Sequence, residues 1–181
     1  MRFRFICFFL ACLWPGVAFS APPVLSSVET YLNRVEPIRA QIEAILEEEG
    51  VPVYFLFLAL AESGGDPLNV SPAGAGGLWQ LMPATARAYG ITPAERFDAE
   101  KSTRSAARYI RHLLDVFHGD YLWTVAAYNT GGHNLRRATG YKKGMDFSIV
   151  KTTRPAAYAL ARTVQRMEAE YGKWAKGNDS H

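Results

Sequence analysis

Past residue 12 the 181-residue chain has no cysteine, and its only two, Cys7 and Cys12, lie near the amino terminus. A disulfide framework is therefore excluded for everything downstream, and no zinc-ligand spacing occurs. A phosphate-binding glycine loop is missing, and so is a basic stripe interleaved with aromatics, so nothing points to nucleic acid. Internal repeats and a second domain are also lacking; the length accommodates one ordinary domain. Long apolar runs are scarce, and the interior one, Val53 to Ala61, is too short to span a bilayer. Excess charge is small. Of 20 basic residues, Arg2 and Arg4 belong to the amino-terminal segment, which leaves 18 against 17 acidic ones, a net of about +1.

That segment has its own pattern. Arg2 and Arg4 precede an apolar stretch, Phe5 to Trp14, and Ala18-Phe19-Ser20 offers small residues at the two positions a signal peptidase reads. These features predict a secretory signal peptide over 1–20, cleaved after Ser20, and an exported protein. Pro15-Gly16 cuts the run too short for an uncleaved anchor, and Phe9 is a poor lead residue for lipidation at Cys12. Residues 21–27 read as a Pro/Ser linker, 28–172 as the domain and 173–181 as a polar tail. Without cysteines, the domain must be held by its core alone.

Helical periodicity dominates. It predicts helices over 28–49, 83–89, 102–117, 121–129 and 134–138, and one helix or two over 148–171, with Pro155 as a break or a new start. The expected fold class is mostly α. Glu47-Glu48-Glu49 closes the first helix and reads as a solvated turn. Lys101, Arg104, Arg108 and Arg111 lie opposite the apolar stripe of the 102–117 helix and read as a solvated face.

The chain is organised around residues 51–83. The apolar run from Val53 is a helix or a strand by length alone; its Leu and Ala content favours helix. It ends in one carboxylate, Glu62, followed by Ser63, two glycines and Asp66-Pro67. A carboxyl at the lip of a core, at the negative end of a helix, has its pKa pushed up, as a general acid at neutral pH requires. The alternative is a first solvated residue after a core helix. Two further features accompany it. Gly74-Ala75-Gly76-Gly77-Leu78-Trp79-Gln80-Leu81-Met82-Pro83 is dense enough in glycine to let backbone approach a ligand, with Gln80 as donor and acceptor. Ala126-Ala127-Tyr128-Asn129 ends a helix before Thr130-Gly131-Gly132.

In this order and spacing the three features resemble the soluble lytic transglycosylase family, lysozyme-like enzymes that cleave bacterial peptidoglycan. The resemblance runs from about Glu43 to Ala138, and the Ser71-Pro72 and Leu78-Trp79-Gln80 wording is most similar to the membrane-bound murein lytic transglycosylase D type. It implies a lysozyme-like helical domain with a small glycine-rich hairpin or loop beside the cleft. It also implies a periplasmic or cell-envelope location, peptidoglycan glycan strands as substrate, no cofactor, no metal, and a monomer. By position, Glu62 matches the single catalytic acid/base. Ser71, Gln80 and Met82 match residues around the sugar subsites, Tyr128 a tyrosine close to the acid that helps orient it, and Asn129 its neighbour. Tyr158 falls two residues late for a D-type tyrosine that reaches the active site, and packing on a helix face explains it equally well. Asp66 is the one residue that could make the enzyme a water-using muramidase; as an Asp before Pro67 it reads as a turn former. Glu95 and Asp98 read as caps. A third possibility is a catalytically dead wall-binding scaffold. The single-domain size resembles small enzymes that open the wall for envelope-spanning secretion or conjugation machinery, which are the expected partners.

Overall fold

The computed structural model describes residues 24–178, and side chains over 30–172. The predicted signal peptide lies outside the described residues. Eight α-helices follow in order: α1 (Val24–Glu48), α2 (Leu56–Ser63), α3 (Pro83–Ala88), α4 (Ala99–Val116), α5 (Tyr121–Thr130), α6 (Gly132–Thr139), α7 (Ile149–Thr153) and α8 (Pro155–Asn178). Two 3-10 turns, Val53–Phe55 and Ala94–Phe97, precede α2 and α4. Among the described residues there is no sheet, only two isolated antiparallel bridges, Val70 with Gly76 and Gly76 with Leu81. None of the described helices is long and apolar enough to cross a membrane.

The sequence patterns explain the boundaries. Pro83 opens α3, where its missing N–H costs nothing. Asp98 caps α4 by accepting from the Lys101 N–H at 3.0 Å, which starts that helix three residues before the predicted start at 102. Asp120 caps α5 in the same way, accepting from Trp123 N–H at 3.1 Å. Pro155 disfavours helical backbone at Arg154 (φ −145°, ψ 68°) and so separates α7 from α8. At the ends the helices run longer than expected. α1 already includes residues 24–27 of the predicted linker, and α8 continues into the predicted tail as far as Asn178.

The core forms around α5, buried on every side from Trp123 to Tyr128 and packed on α4, α6 and α8. α1 lies across α4, α2 and α8. α2 is buried from Leu56 to Leu60, which drives its far end, with Glu62, toward the meeting point of α5 and the 66–82 loop. Burying a Leu or Phe side chain is worth about 1.5–3 kcal/mol, so α2 is anchored at its start and leaves Glu62 at its exit.

The solvated face of α4 and the solvated turn closing α1 are mostly exposed, as expected, with one addition. The predicted solvated face and the predicted solvated turn are paired with each other. Arg104 meets Glu48 at 2.8 Å and Arg108 meets Glu49 at 3.1 Å, while Arg111 Nη1 donates to the Gly50 carbonyl at 3.1 Å. Where α1 crosses α4, both sets of charges occupy one seam, and sequence separation hides that.

Candidate active site

α2 ends where Gly64 enters the left-handed region (φ 65°) and its N–H bonds the Leu60 carbonyl. Ser63 Oγ donates to the Ala59 carbonyl at 3.0 Å and accepts from Gly65 N–H at 3.1 Å. The serine is thus consumed in ending the helix. Glu62, one position earlier, is half-buried and turned into a small pocket of about 50 Å³.

Gln80, Met82, Thr85, Tyr109, Tyr128 and Asn129 line that pocket with Glu62, and among the described residues it holds no second carboxylate and no cation. Burial therefore acts without opposition and lifts the Glu62 carboxyl from 4.5 to about 7. Near neutral pH the group then populates both forms, so it can give a proton and take one back. Burial also raises the Tyr128 phenol well above its ordinary value, and the nearby Glu62 charge adds to this.

The opposite wall is the glycine-rich loop. Two of its glycines, Gly76 and Gly77, answer a packing need. A Cβ on Gly77 (φ 80°) would sit 1.8 Å from the Arg96 carbonyl, and one on Gly76 would sit 2.9 Å from the Phe97 ring. Arg96 is the loop's clamp. Its Nη1 donates to the Gly74 carbonyl at 2.8 Å and the Leu81 carbonyl at 2.9 Å, and its Nε to the Pro93 carbonyl at 2.7 Å. Trp79, fully buried, donates from Nε1 to Thr103 Oγ1 at 2.9 Å. Gln80 takes a left-handed backbone (φ 46°), rare outside glycine, and its Nε2 donates to the Asn69 and Gly77 carbonyls at 3.0 and 2.9 Å. Its amide nitrogen is spent on the loop, which leaves the side-chain carbonyl to meet a ligand.

Several predicted site residues are placed differently. Tyr128 lines the pocket, but its hydroxyl donates to the Trp79 carbonyl at 2.7 Å, so it ties α5 to the loop instead of bonding Glu62. Ser71 is outside the pocket lining; its Oγ accepts from Ala75 N–H at 3.0 Å and shapes the loop turn. Tyr158 is also outside. Its ring stacks on Phe147 (5.4 Å, 17°) and its hydroxyl accepts from Arg162 Nε at 3.3 Å, so packing explains it. Asp66 is exposed and its carboxylate accepts from Leu68 N–H at 2.8 Å, the turn expected of it, outside the Glu62 pocket. Glu95 accepts from Thr92 N–H at 2.8 Å and pairs with Lys101 at 2.7 Å, which holds its carboxyl down at about 2. Glu62, Gln80, Met82, Tyr128 and Asn129 are brought together. Tyr109, Thr85 and Arg96 were missed. Tyr109 stands at the edge of the α4 stripe and reads as packing, and a single arginine before Phe97 carries no sequence signal. Among the described residues no group of three His, Cys, Asp or Glu is arranged to hold a metal ion.

Comparison with known proteins agrees with this geometry. A profile of the transglycosylase SLT domain matches residues 39–150. Membrane-bound lytic murein transglycosylase D of Escherichia coli K12 is 36% identical over 140 residues, covering 75% of this chain and 31% of that protein. Membrane-bound lytic murein transglycosylase F of Erwinia tasmaniensis is 28% identical over 166 residues, covering 84% of this chain and 32% of its own. The chain thus spans about a third of the length of these relatives. The solved 70 kDa soluble lytic transglycosylase of Escherichia coli superposes with a TM-score of 0.65 at 20% identity, over 84% of this chain and 29% of that one. An inactive mutant of lytic transglycosylase Slt from Pseudomonas aeruginosa gives 0.60 at 21% identity, over 82% and 24%. The fold is the lysozyme-like one of these structures.

Proposed function

The chain belongs to the transglycosylase SLT family, and on that premise we propose that it is a peptidoglycan lytic transglycosylase acting in the cell envelope. The observation that carries the reading is the lone carboxylate. Glycosidases that use water or a protein nucleophile place two carboxyl groups about the scissile bond. The pocket around Glu62 has one, with its pKa raised to about 7.

One such group suffices when the nucleophile belongs to the substrate. Protonated Glu62 gives its proton to the glycosidic oxygen between N-acetylmuramic acid and N-acetylglucosamine as the C–O bond breaks. The carboxylate left behind takes the proton of the muramic 6-hydroxyl. That oxygen bonds the anomeric carbon and closes a 1,6-anhydro ring, so no water is consumed and Glu62 ends protonated, as it began. An attacking group already tethered to its target has the advantage of an intramolecular reaction. Gln80, Met82 and Asn129 line the pocket where the sugars would lie. The Tyr128–Trp79 hydrogen bond keeps the wall that carries Gln80 against the helix that carries Asn129.

Mass spectrometry of products from purified peptidoglycan, beside a Glu62→Gln control, tests this. Products lighter by one water than hydrolytic ones, and absent from the control, are expected. Reducing ends would instead identify a muramidase, and no release together with strand binding would identify a scaffold.

A further inference from the structure

A second cavity, larger than the one that holds Glu62, adjoins it. A groove of about 630 Å³ lies beyond Tyr109, which lines both, and runs between α4 and α6. Aromatic rings join the two. Tyr128 lies 5.1 Å from Tyr109, Tyr109 lies 5.0 Å from Tyr89, and Tyr89 lies 6.4 Å from His112. Along this ladder the polarity changes. The groove is lined by His112 from α4 and by His133, Arg136 and Arg137 from α6, and no carboxylate is among its lining residues.

The two arginines differ from those of α4. Arg104, Arg108 and Arg111 each meet a carboxylate, whereas neither Arg136 nor Arg137 has an ion-pair partner among the described residues. Cations in the last turn of a helix complement its dipole, which accounts for arginines on α6. It does not account for two arginines and two imidazoles from different helices converging on one concavity. Such a site takes an anion; guanidinium groups match carboxylate and phosphate bidentately, and the substrate inferred above carries carboxylates.

We propose that this groove binds carboxylates hanging from the muramic residues of a strand whose sugars occupy the Glu62 pocket. The proposal rests on the substrate class inferred above. Two sources share that chemistry, the carboxylates of a peptide stem and the lactyl carboxylate exposed when the stem is removed. Arg136 and Arg137 would supply the charge-assisted hydrogen bonds, and the Tyr109–Tyr89 face would carry the intervening part of the strand. The groove then makes this chain select anionic wall polymer over neutral glycan.

The test is a binding measurement that needs no turnover, with Glu62→Gln protein and soluble probes: strands carrying tetrapeptide stems, the same strands stripped of stems, and neutral chitohexaose. Adding R136Q/R137Q should weaken stem-bearing strands by about tenfold or more while chitohexaose shifts by less than about twofold. R136K/R137K should restore part of the loss, since charge is kept and the bidentate geometry is not. A loss confined to stem-bearing strands identifies the peptide carboxylates, and an equal loss on stripped strands shows that the site also takes the lactyl carboxylate freed when the stem is removed. Equal affinities of both variants for all three probes would overturn the proposal. Arginine-dependent binding by a chain whose Glu62 form releases no anhydro products would keep the site and remove the reaction.

Discussion

Two helices of this protein end in glutamate, and the two ends have opposite fates. Glu48 and Glu49 close α1, and Glu62 nearly closes α2, so each carboxylate sits at the unfavourable pole of its helix. At α1, the arginines of α4 cross the seam and meet both carboxylates and the Gly50 carbonyl. At α2, the arginine that serves the end, Arg34, donates to the Gly64 carbonyl at 2.9 Å and stays out of the Glu62 pocket. One set of carboxylates is neutralised and becomes structural. The other is half-buried with no cation in its pocket, and its pKa rises to about 7. Residue type and helix position are shared, so the difference comes from which neighbouring element brings a positive charge.

Removing the carboxylate is the strongest way to break the contrast. Glu62→Gln should lower release of anhydro products by about a thousandfold or more, since proton transfer in both directions is lost. The same variant should be more stable than the parent at high pH. Glu62 is raised from 4.5 to about 7, so the fold favours its protonated form. The parent matches the variant below pH 4.5, loses stability as pH rises from there through 7, and levels off up to about 3 kcal/mol lower. Thermal melts at pH 4 and pH 8 check the sign: the difference should open only at the higher pH.

Loosening the opposite wall comes next. Arg96→Ala removes three hydrogen bonds to carbonyls and should cost about 3 kcal/mol of stability, with a 10- to 100-fold fall in kcat, about the loss expected when a positioning element shifts. Chemical denaturation and steady-state rates on the same preparation separate the two effects. Supplying the missing cation should turn the α2 end toward the α1 condition. Thr85→Lys introduces an ammonium into the Glu62 pocket and should move the alkaline limb of the pH–rate profile down by about one unit. Conversely, Arg104→Ala at the α1 end should cost under about 1 kcal/mol and leave the pH–rate profile in place, because exposed pairs contribute little.

Much of this was legible from residue order. The 3.6-residue stripes, Asp98, Pro83 and Pro155 mark helix boundaries through local chemistry that needs no tertiary contact. Glu62 was visible because an apolar run ends on it, and Gln80, Met82, Tyr128 and Asn129 because they fall on motif positions of the family the chain resembles. What could not be read depends on pairs distant in sequence. Glu48 with Arg104, the Gly77 backbone against Arg96, and the Tyr128 hydroxyl on Trp79 each join segments that only the packed helices bring together. Tyr109 and the α4–α6 groove belong to that group. A tyrosine beside an apolar stripe, and two arginines on a short helix, have ordinary explanations until both face one cavity.

The glycine-rich loop has a consequence in time as well as in shape. The amides of Ser71, Gly76, Gly77 and Leu81 all bond carbonyls within it, Arg96 holds its carbonyls from below, and Tyr128 fastens it to α5. A segment fixed at both edges has no low-cost open state, so it does not behave as a lid whose opening sets the pace of turnover. Whatever enters the Glu62 pocket therefore meets a wall already in place, with no ordering of the loop to await.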